Sequence, residues 1–289
     1  MRMPGEKRYW DRPTLETRIA DAGRRQRYEA GSPNAYEIAR YRDFLLEGNR
    51  PRRVIIMGMT PELRVMALSV VDRVITVDRN PEAISLYRDW TSEADSGREW
   101  IIRADWEDLS QLLNGPVDAV LGDGVFGNVL TLDNHRRLLN SLRETVGPGG
   151  RIILRHAMIP RGFDPASHSA DLLLEAFRSG QMNETEFAFG MRLWGCFATA
   201  YDRKTALLDN RTVFDRYGRW HADGRLTDGE WNAVRRYYYG GTNMILPQEI
   251  WEALLGECGL RFSLRPLRGR AWYAYYPIYG CRPIKALPG

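Results

Sequence analysis

Five short apolar runs alternate with amphipathic stretches between Pro51 and about Arg155, and this alternation constrains the fold more than any other feature of the chain. The runs are RVIIM (53–57), RVITV (73–77), WIIRA (100–104), VDAVLGD (117–123) and GRIILRH (150–156). Continuous apolar strands separated by helices are typical of βαβ units, whose parallel sheet is covered on both faces. Since such crossovers are right-handed, the pattern predicts a doubly wound α/β sheet.

The segments on either side of this core have different patterns. Residues 1–50 favour helices, most clearly in GSPNAYEIARYRDFLLEG, where Ser32 can cap a helix and Pro33 can occupy its first turn. Residues 157–246 are mostly helical and rich in aromatic side chains, and they are too many for an ordinary loop. Residues 247–289 contain an amphipathic helix and then two predicted strands, in RFSLRPL and AWYAYYPIYGCRPI. We therefore predict four parts, with residues 51–156 as the core.

Composition and charge exclude several classes of protein. The 289 residues carry a formal charge of +4, but the basic residues are nearly all arginines, spread along the chain among acids. This pattern favours an ordinary solvated surface, so a nucleic-acid partner is not expected. No apolar run is long enough to span a membrane, and the N-terminal residues lack the apolar segment of a secretory signal. Three scattered cysteines suggest no disulfide framework, and we expect a cytoplasmic location.

The loop GMTPEL after the first run has one glycine, Gly58, where a dinucleotide-binding loop has several. Thr60 suits a helix N-cap and Pro61 a first helical residue. Glu62 then places a carboxylate where a diphosphate would lie, which argues against NAD or FAD. A zwitterionic or cationic ligand fits better, with the helix N-terminus near a carboxylate and Glu62, or a nearby carbonyl, facing an ammonium group. A helix start without any ligand explains the same residues equally well.

Acidic residues follow the next two predicted strands. Asp78 lies twenty residues after Gly58, where an acid can accept hydrogen bonds from both hydroxyls of a ribose. Asp105 follows the third strand, where it could accept the amine of an adenine, and Trp106 could lie against the ring. Each acid alone is more often a helix cap. Three such features at the carboxyl ends of successive strands favour one ligand site.

From Arg53 to Arg155 the sequence resembles the core of a class I S-adenosylmethionine-dependent methyltransferase. Gly58 resembles the motif I glycine, Asp78 the acid after the second strand and Asp105 the adenine-side acid. VDAVLGDG resembles the motif IV strand, and LRETVGPGGRIILR the helix, turn and fifth strand that follow it. The helix Pro247–Glu257 and the last two strands suit the antiparallel sixth and seventh strands of the family. Motif I departs from the family pattern, since Ile56 replaces its acid and only its first glycine is present.

The resemblance implies a Rossmann-like methyltransferase sheet, mostly parallel with an antiparallel last strand, and S-adenosylmethionine as the cofactor, with S-adenosylhomocysteine as the product. The N-terminal helical segment and the insertion, residues 157–246, are expected to cover the acceptor as a lid. The acceptor is expected to be a small molecule, flat or apolar, and a homodimer is one arrangement to test. The expected cofactor-binding residues are Gly58, Met59, Thr60, Glu62, Asp78, Arg79, Asp105, Trp106 and Asp123.

Methyl transfer from a sulfonium is an in-line displacement, so positioning is the main task of the protein. A hydroxyl or amine acceptor can also require a general base. Asp123, after the fourth strand, and His156, after the fifth, are the candidate catalytic residues. A histidine hydrogen-bonded beneath the lid is an equally good interpretation of His156. The histidines and cysteines have no metal-binding spacing, so no metal is expected.

Aromatic residues of the insertion are candidates for the wall of an acceptor pocket. They are Trp194, Trp231, Tyr237, Tyr238 and Tyr239. Packing within the lid's own core is the favoured alternative for most of them. Tyr28, Tyr36 and Tyr41 of the N-terminal segment could close over the cofactor, and packing explains them as well.

Other functions of the same fold are less consistent with the sequence. A methyltransferase acting on nucleic-acid bases would have an Asn/Asp-Pro-Pro-aromatic motif after the fourth strand, where this chain has GDGVFGN. Aminopropyl transfer would require a glycine-rich first motif and a dense acidic pocket. A non-catalytic binding or scaffold protein is favoured by the lost glycines and opposed by Asp78 and Asp105. We expect an active methyltransferase for small molecules, with the scaffold as the main alternative.

Overall fold

The computed structural model describes residues 12–25, 27–147, 149–238 and 240–284. Its strands are β1 (Arg53–Met57), β2 (Arg73–Asp78), β3 (Glu99–Arg103), β4 (Ala119–Asp123), β5 (Arg151–Arg155), β6 (Met158–Ile159), β7 (Tyr201–Asp202), β8 (Leu207–Asp209), β9 (Thr242–Met244), β10 (Leu246–Pro247), β11 (Leu260–Leu264) and β12 (Ile278–Pro283). Its α-helices are α1 (Arg12–Gly23), α2 (Ala35–Leu46), α3 (Pro61–Val70), α4 (Pro81–Tyr87), α5 (Ser92–Asp95), α6 (Leu109–Leu112), α7 (Leu132–Val146), α8 (Ala170–Arg178), α9 (Glu184–Gly190), α10 (Phe197–Ala200), α11 (Asn210–Ala222), α12 (Asp228–Arg235) and α13 (Gln248–Glu257).

The central sheet of the described residues has seven strands in the order β11-β12-β5-β4-β1-β2-β3. Strands β1 to β5 are parallel to one another, and β12 is antiparallel to β5. The predicted sheet, mostly parallel with an antiparallel last strand, is therefore confirmed. The two final strands, β11 and β12, are antiparallel to each other, so β11 runs in the same direction as β5.

Helices cover both faces of this sheet. In β1, Ile55 and Met57 join a core that includes α7 and α13, whereas Val54 and Ile56 join a core that includes α2 and α3. All four side chains are fully buried. Burial on both faces explains why the strand is a continuous apolar run rather than an alternating one.

The insertion between β5 and α13 has its own core and its own small sheet. Helices α8 to α12 pack around aromatic side chains, and strands β7, β8 and β9 form an antiparallel sheet. The short strands β6 and β10 pair in parallel where the chain enters and leaves the insertion. The insertion is thus helical with an additional sheet that its sequence did not indicate. The proposed division at residues 50, 156 and 246 remains a prediction.

Two local expectations require correction. Helix α2 is capped by Asn34 rather than Ser32, because Asn34 and Glu37 form a reciprocal capping box. The segment predicted as the final strand begins with a 3₁₀ turn, Ala271–Ala274, and extended pairing starts only at Ile278. Among the described residues, no helix has the length and apolar character required to cross a membrane.

Candidate active site

A cavity lies at the carboxyl edge of the central sheet, beside the ends of β1, β2, β4 and β5. This edge is where open α/β sheets bind ligands. Gly58 and Asp78 line the cavity after β1 and β2, and Asp123 and His156 line it at the ends of β4 and β5. The structure therefore brings together predicted residues from four strands.

Gly58 makes the turn from β1 toward α3. Its φ of +86° lies in the left-handed region, which glycine adopts without steric cost. Its backbone nitrogen donates a hydrogen bond to the carbonyl of Val77, at 2.9 Å. A Cβ here would meet Trp106 at 3.9 Å and Asp78 at 4.0 Å, which are ordinary contacts. The backbone conformation, and not the available space, is the reason for a glycine.

The residues after Gly58 present a helix N-terminus to the cavity. Thr60 occupies the predicted N-cap position of α3, but its side chain makes no capping hydrogen bond. Thr60 and the buried Met59 both line the cavity. The backbone N–H groups of a first helical turn favour an anionic group, so a ligand carboxylate fits this end of the cavity.

Glu62 lies in an ion pair with Arg27 instead of facing the cavity. Arg27 donates from Nε and Nη2 to the two carboxylate oxygens, at 2.9 and 3.3 Å. Of this pair, Arg27 is the member that lines the cavity. The expectation that Glu62 faces an ammonium group is therefore wrong, because the N-terminal segment provides its partner.

Asp78 is the most deeply buried acid of the cofactor side, with 9% of its surface exposed. It accepts a hydrogen bond from the backbone nitrogen of Asn80 at 2.8 Å. Burial raises the pKa of Asp78 to about 6, and the hydrogen bonds from nearby backbone groups oppose that shift only in part. A carboxylate in this position would gain from two ligand hydroxyls that donate to it.

The residues after β3 separate into two groups. The indole Nε1 of Trp106 donates to the carbonyl of Val77 at 2.8 Å, and its ring lines the cavity beside Gly58. Asp105 instead forms an ion pair with Arg79 at 3.0 Å and caps the turn Trp106–Asp108. Trp106 lines the cavity, whereas neither Asp105 nor Arg79 is among its described lining residues. Asp105 therefore lies outside the cavity wall and is not placed for the expected contact with adenine.

Asp123 belongs to a buried charge cluster. Both its oxygens accept hydrogen bonds from Arg155, at 2.6 and 3.0 Å, and Arg155 also donates to Glu37 of α2. The guanidinium lies over the ring of Tyr276, 4.6 Å from its centroid. This bidentate pair occupies both carboxylate oxygens of Asp123. Asp123 therefore orients Arg155 rather than serving as the expected general base.

His156 lies at the cavity wall but has an apolar environment. Its ring is 4.3 Å from that of Trp251 and 5.5 Å from that of Phe126. Burial, together with the charge of nearby His135, lowers the pKa of His156 to about 3. Neither ring nitrogen has a hydrogen-bond partner among the described residues, so the alternative of a hydrogen-bonded histidine is also wrong. A general base is most effective with a pKa near the working pH, which His156 lacks.

The aromatic residues expected in the lid pocket mostly pack elsewhere. Trp194 and Tyr237 are buried in the insertion's own core. Trp231 and Tyr238 line a separate groove beside α1, α11 and α12. Tyr239 lies outside the described residues. The packing alternative therefore explains the described members of this set better than an acceptor pocket does.

The tyrosines of the N-terminal segment also do not close over the cavity. Tyr41 is fully buried and donates from its hydroxyl to the carbonyl of Gly122 at 2.8 Å. Tyr36 is 72% exposed. Tyr28 packs edge-on against Tyr237, with the ring centroids 6.4 Å apart.

Several residues of the cavity wall escaped the sequence analysis. They are Arg18, Arg27, Arg192, Asn243 and Tyr276. Arg192 had a recognisable signal, because it is the only charged residue in the stretch FAFGMRLWGCFA, and a lone charge in an apolar stretch indicates a buried cation. Within the described residues no three His, Cys, Asp or Glu side chains gather as a metal-binding group.

Comparisons with known proteins connect this arrangement to a fold. No protein-family model matches the sequence, and no curated protein is similar to it. The structure of the CcbJ methyltransferase from Streptomyces caelestis aligns with a TM-score of 0.57 and 12% identity, over 96% of this chain and 100% of that one. The N-methyltransferase NodS from Bradyrhizobium japonicum WM9, in complex with S-adenosyl-l-homocysteine, aligns with a TM-score of 0.53 and 11% identity, over 95% and 100%. The chain has a class I methyltransferase fold.

A third similar structure shows the limits of such likeness. A protein described as a putative Zn-dependent alcohol dehydrogenase from Rhodobacter sphaeroides aligns with a TM-score of 0.56 and 19% identity, over 94% of this chain and 98% of that one. Its description differs from those of the two methyltransferases, although the three align over nearly the same length. At identities this low, the structural alignments establish the fold, and the chemistry depends on the residues of the site.

Proposed function

We propose that this protein transfers a methyl group from S-adenosylmethionine to a small-molecule acceptor. The observation that carries the proposal is the position of Gly58, Asp78 and Trp106 on one cavity, at the carboxyl edge of a sheet with the methyltransferase fold. A glycine turn, a buried acid and an aromatic ring are the groups that a nucleoside with an attached amino acid requires. The three residues lie at or just after the ends of three different strands, so proximity in the sequence does not explain why they meet.

The residues present fit each part of this cofactor. Asp78 is placed to accept hydrogen bonds from ribose hydroxyls, and Trp106 to cover one face of an adenine ring. At the other end, the open N-terminus of α3 suits the amino-acid carboxylate.

When bound, S-adenosylmethionine supplies a methyl group activated by its sulfonium. The protein then has to hold an acceptor in line and exclude water. The loop after β4 and the insertion supply the remaining walls, through Asn128, Arg192 and Asn243. A cavity enclosed in this way favours a small acceptor over a polymer. Since Asp123 is paired and His156 has a low pKa, we expect an acceptor that is nucleophilic without a strong base on the protein.

Calorimetric titration of the purified protein with S-adenosylmethionine, S-adenosylhomocysteine and NAD tests the proposal. We expect micromolar binding of the first two and none of NAD. Asp78→Asn should weaken both by at least about tenfold, because hydrogen bonds to a charged group contribute about 1.5–3 kcal/mol. Asp72→Asn is the matched control, since Asp72 precedes the opposite end of β2 and is exposed, and it should change neither affinity.

Two results would contradict the proposal. One is wild-type protein that binds neither S-adenosyl compound, which would favour the non-catalytic scaffold. The other is equal loss of affinity in Asp72→Asn and Asp78→Asn, which would indicate a general effect of charge. After binding is established, release of S-adenosylhomocysteine in the presence of candidate acceptors measures turnover.

A further inference from the structure

Three arginines form a row across the central sheet at the edge where β5 begins, opposite to the edge that carries the candidate active site. In the pairing of β11 with β12, Arg261 is opposite Arg282. The pairing of β12 with β5 places Cys281 opposite Ile152, and the next position of this register places Arg282 opposite Arg151. Arg151, Arg282 and Arg261, the arginine row, line one cavity beside the C-terminal end of α2.

The arginine row is unfavourable for the sheet unless negative charge compensates it. Side chains of like charge directly opposite each other on neighbouring strands are destabilising. Burial and, next, the charge of Arg282 lower the pKa of Arg151. Glu47 and Asp118 raise that pKa, but each by less than Arg282 lowers it. Among the described residues, neither Arg151 nor Arg261 forms an ion pair, so the protein compensates the row only in part.

The guanidinium of Arg151 is buried and held in place by the end of α2. Only 6% of the surface of Arg151 is exposed. Its Nη1 donates to the carbonyl of Leu45, and its Nη2 donates to the carbonyl of Asn49 at 3.2 Å. These carbonyls orient the guanidinium, but they carry only partial negative charges. A buried cation whose hydrogen-bond partners are not ionised favours an anion close to it.

Glu47 is the one acid among the described residues that line this cavity. It pairs with Arg282 of the row at 3.5 Å, and also with Arg265 at 3.0 Å. The charge of Glu47 is therefore shared with an arginine outside the row. Three positive charges in the row and the one negative charge of Glu47 leave the described lining with a formal charge of +2. This charge matches that of a phosphomonoester dianion, and guanidinium groups bind phosphate through paired hydrogen bonds.

We infer that the arginine row binds the phosphate dianion of a small organic phosphomonoester. The rings of Phe44 and Phe262 line the same cavity beside the row, so they can contact the organic part of the ligand. A bound dianion offsets the repulsion within the row, and it therefore stabilises the folded protein. Because this cavity is separate from the one at the carboxyl edge, phosphate binding does not depend on the proposed function.

Calorimetric titration of the full chain at constant ionic strength tests this site, with phenyl phosphate, inorganic phosphate and benzoate as probes. We expect phenyl phosphate to bind at least about tenfold more tightly than benzoate, because it brings a second negative charge to the row. It should also bind more tightly than inorganic phosphate, because its ring contacts the two phenylalanines. Arg261→Met should weaken phenyl phosphate by at least about fivefold. Arg103→Met, at an exposed arginine of the other edge strand, β3, is the matched control and should change this affinity less than about twofold.

Thermal unfolding of Arg261→Glu provides a second measurement at the same exposed position. The substitution places a carboxylate opposite Arg282, where it takes over the role of the bound anion. We expect a higher Tm than that of the wild type in chloride buffer. Phenyl phosphate should raise the Tm of the wild type and leave that of this variant unchanged. A variant that phenyl phosphate still stabilises as much as the wild type would overturn the inference.

Four other outcomes would also overturn the inference. Benzoate that binds as tightly as phenyl phosphate would show that the row does not distinguish a dianion from a monoanion. An equal loss of affinity in Arg103→Met and Arg261→Met would indicate a general attraction of anions to a basic protein. Inorganic phosphate that binds more tightly than phenyl phosphate would identify free phosphate as the ligand. Tighter binding of a single strand of ten thymidylates than of phenyl phosphate would indicate a nucleic-acid backbone.

Discussion

Asp78 has an environment that disfavours its charge, whereas its proposed role in ribose binding requires that charge. Burial raises its pKa to about 6, whereas ribose hydroxyls bind a carboxylate more strongly than a neutral acid. If Asp78 binds the ribose as proposed, the cofactor competes with protonation of this side chain in mildly acidic solution. The affinity for the cofactor would then depend on the charge of Asp78.

The affinity for S-adenosylhomocysteine should rise as the pH increases from 5 to 7.5. With a pKa of about 6, roughly one tenth of Asp78 is ionised at pH 5, so the dissociation constant there should be about tenfold higher than at the plateau. Calorimetry across this range measures the change. Asp78→Asn should give a flat profile, and the same slope in that variant would show that another group titrates.

The same shift has the opposite sign for stability. The folded pKa of about 6 lies above the ordinary value of 3.8, so between these values the folded protein binds more protons at Asp78 than the unfolded chain does. Asp78 therefore lowers the free energy of unfolding as the pH rises from 4 to 6. The difference in unfolding free energy between Asp78→Asn and wild type provides a check that is independent of ligand.

At the scale of elements, the cluster around Arg155 joins helix α2 to the sheet. Arg155 is fully buried at the end of β5, Asp123 ends β4, and Glu37 lies in the first turn of α2. Burial raises the pKa of Glu37, although Arg155 partly offsets this effect. The cluster positions both α2 and the Tyr276 ring beside the cavity. The cluster thus holds α2 against the carboxyl ends of β4 and β5.

Arg155→Met should lower the free energy of unfolding by about 3–5 kcal/mol, because it leaves two buried carboxylates without their cation. Denaturation by urea measures the loss. The control is Arg136→Met, whose partners Asp133 and Glu257 form exposed ion pairs, and it should cost no more than about 1 kcal/mol. Equal losses in the two variants would contradict a structural role for the buried cluster.

At the scale of the whole molecule, the cavity is assembled from segments that are distant in the sequence. The N-terminal segment contributes Arg18 and Arg27, the insertion contributes Arg192 and Asn243, and the C-terminal part contributes Tyr276. A ligand that contacts several of these segments should resist the opening of any one of them. The effect of ligand binding should therefore be measurable in segments that lie far from the sheet.

Saturation with S-adenosylhomocysteine should slow tryptic cleavage after Arg24 and Arg25, which lie between the two cavity-lining arginines of the N-terminal segment. If cleavage requires this segment to open, ligand at a hundred times its dissociation constant should slow it by tenfold or more. Mass spectrometry of timed digests measures the rates. Cleavage after Arg203, in the exposed turn between β7 and β8, should be unchanged. Equal slowing at both places would indicate inhibition of the protease.

The sequence by itself determined the elements and order of the core. Strands form where apolar runs can be buried on both faces, and this is a local property, so β1 begins and ends at the predicted residues, Arg53 and Met57. Because helical crossovers make these strands parallel, their carboxyl ends lie at one edge of the sheet. For that reason the sequence alone indicates that Gly58, Asp78 and Trp106 lie at the same edge of the sheet.

The tertiary structure decided which groups the charged and aromatic residues meet. Glu62 pairs with Arg27 across 35 positions of sequence, and Arg155 reaches Glu37 across 118. Periodicity shows that a face is apolar but not which surface covers it, so the sequence favoured a core position for Trp194 but left a pocket position open. Local patterns specify backbone and burial, whereas the partner of a side chain depends on segments that only folding brings into contact.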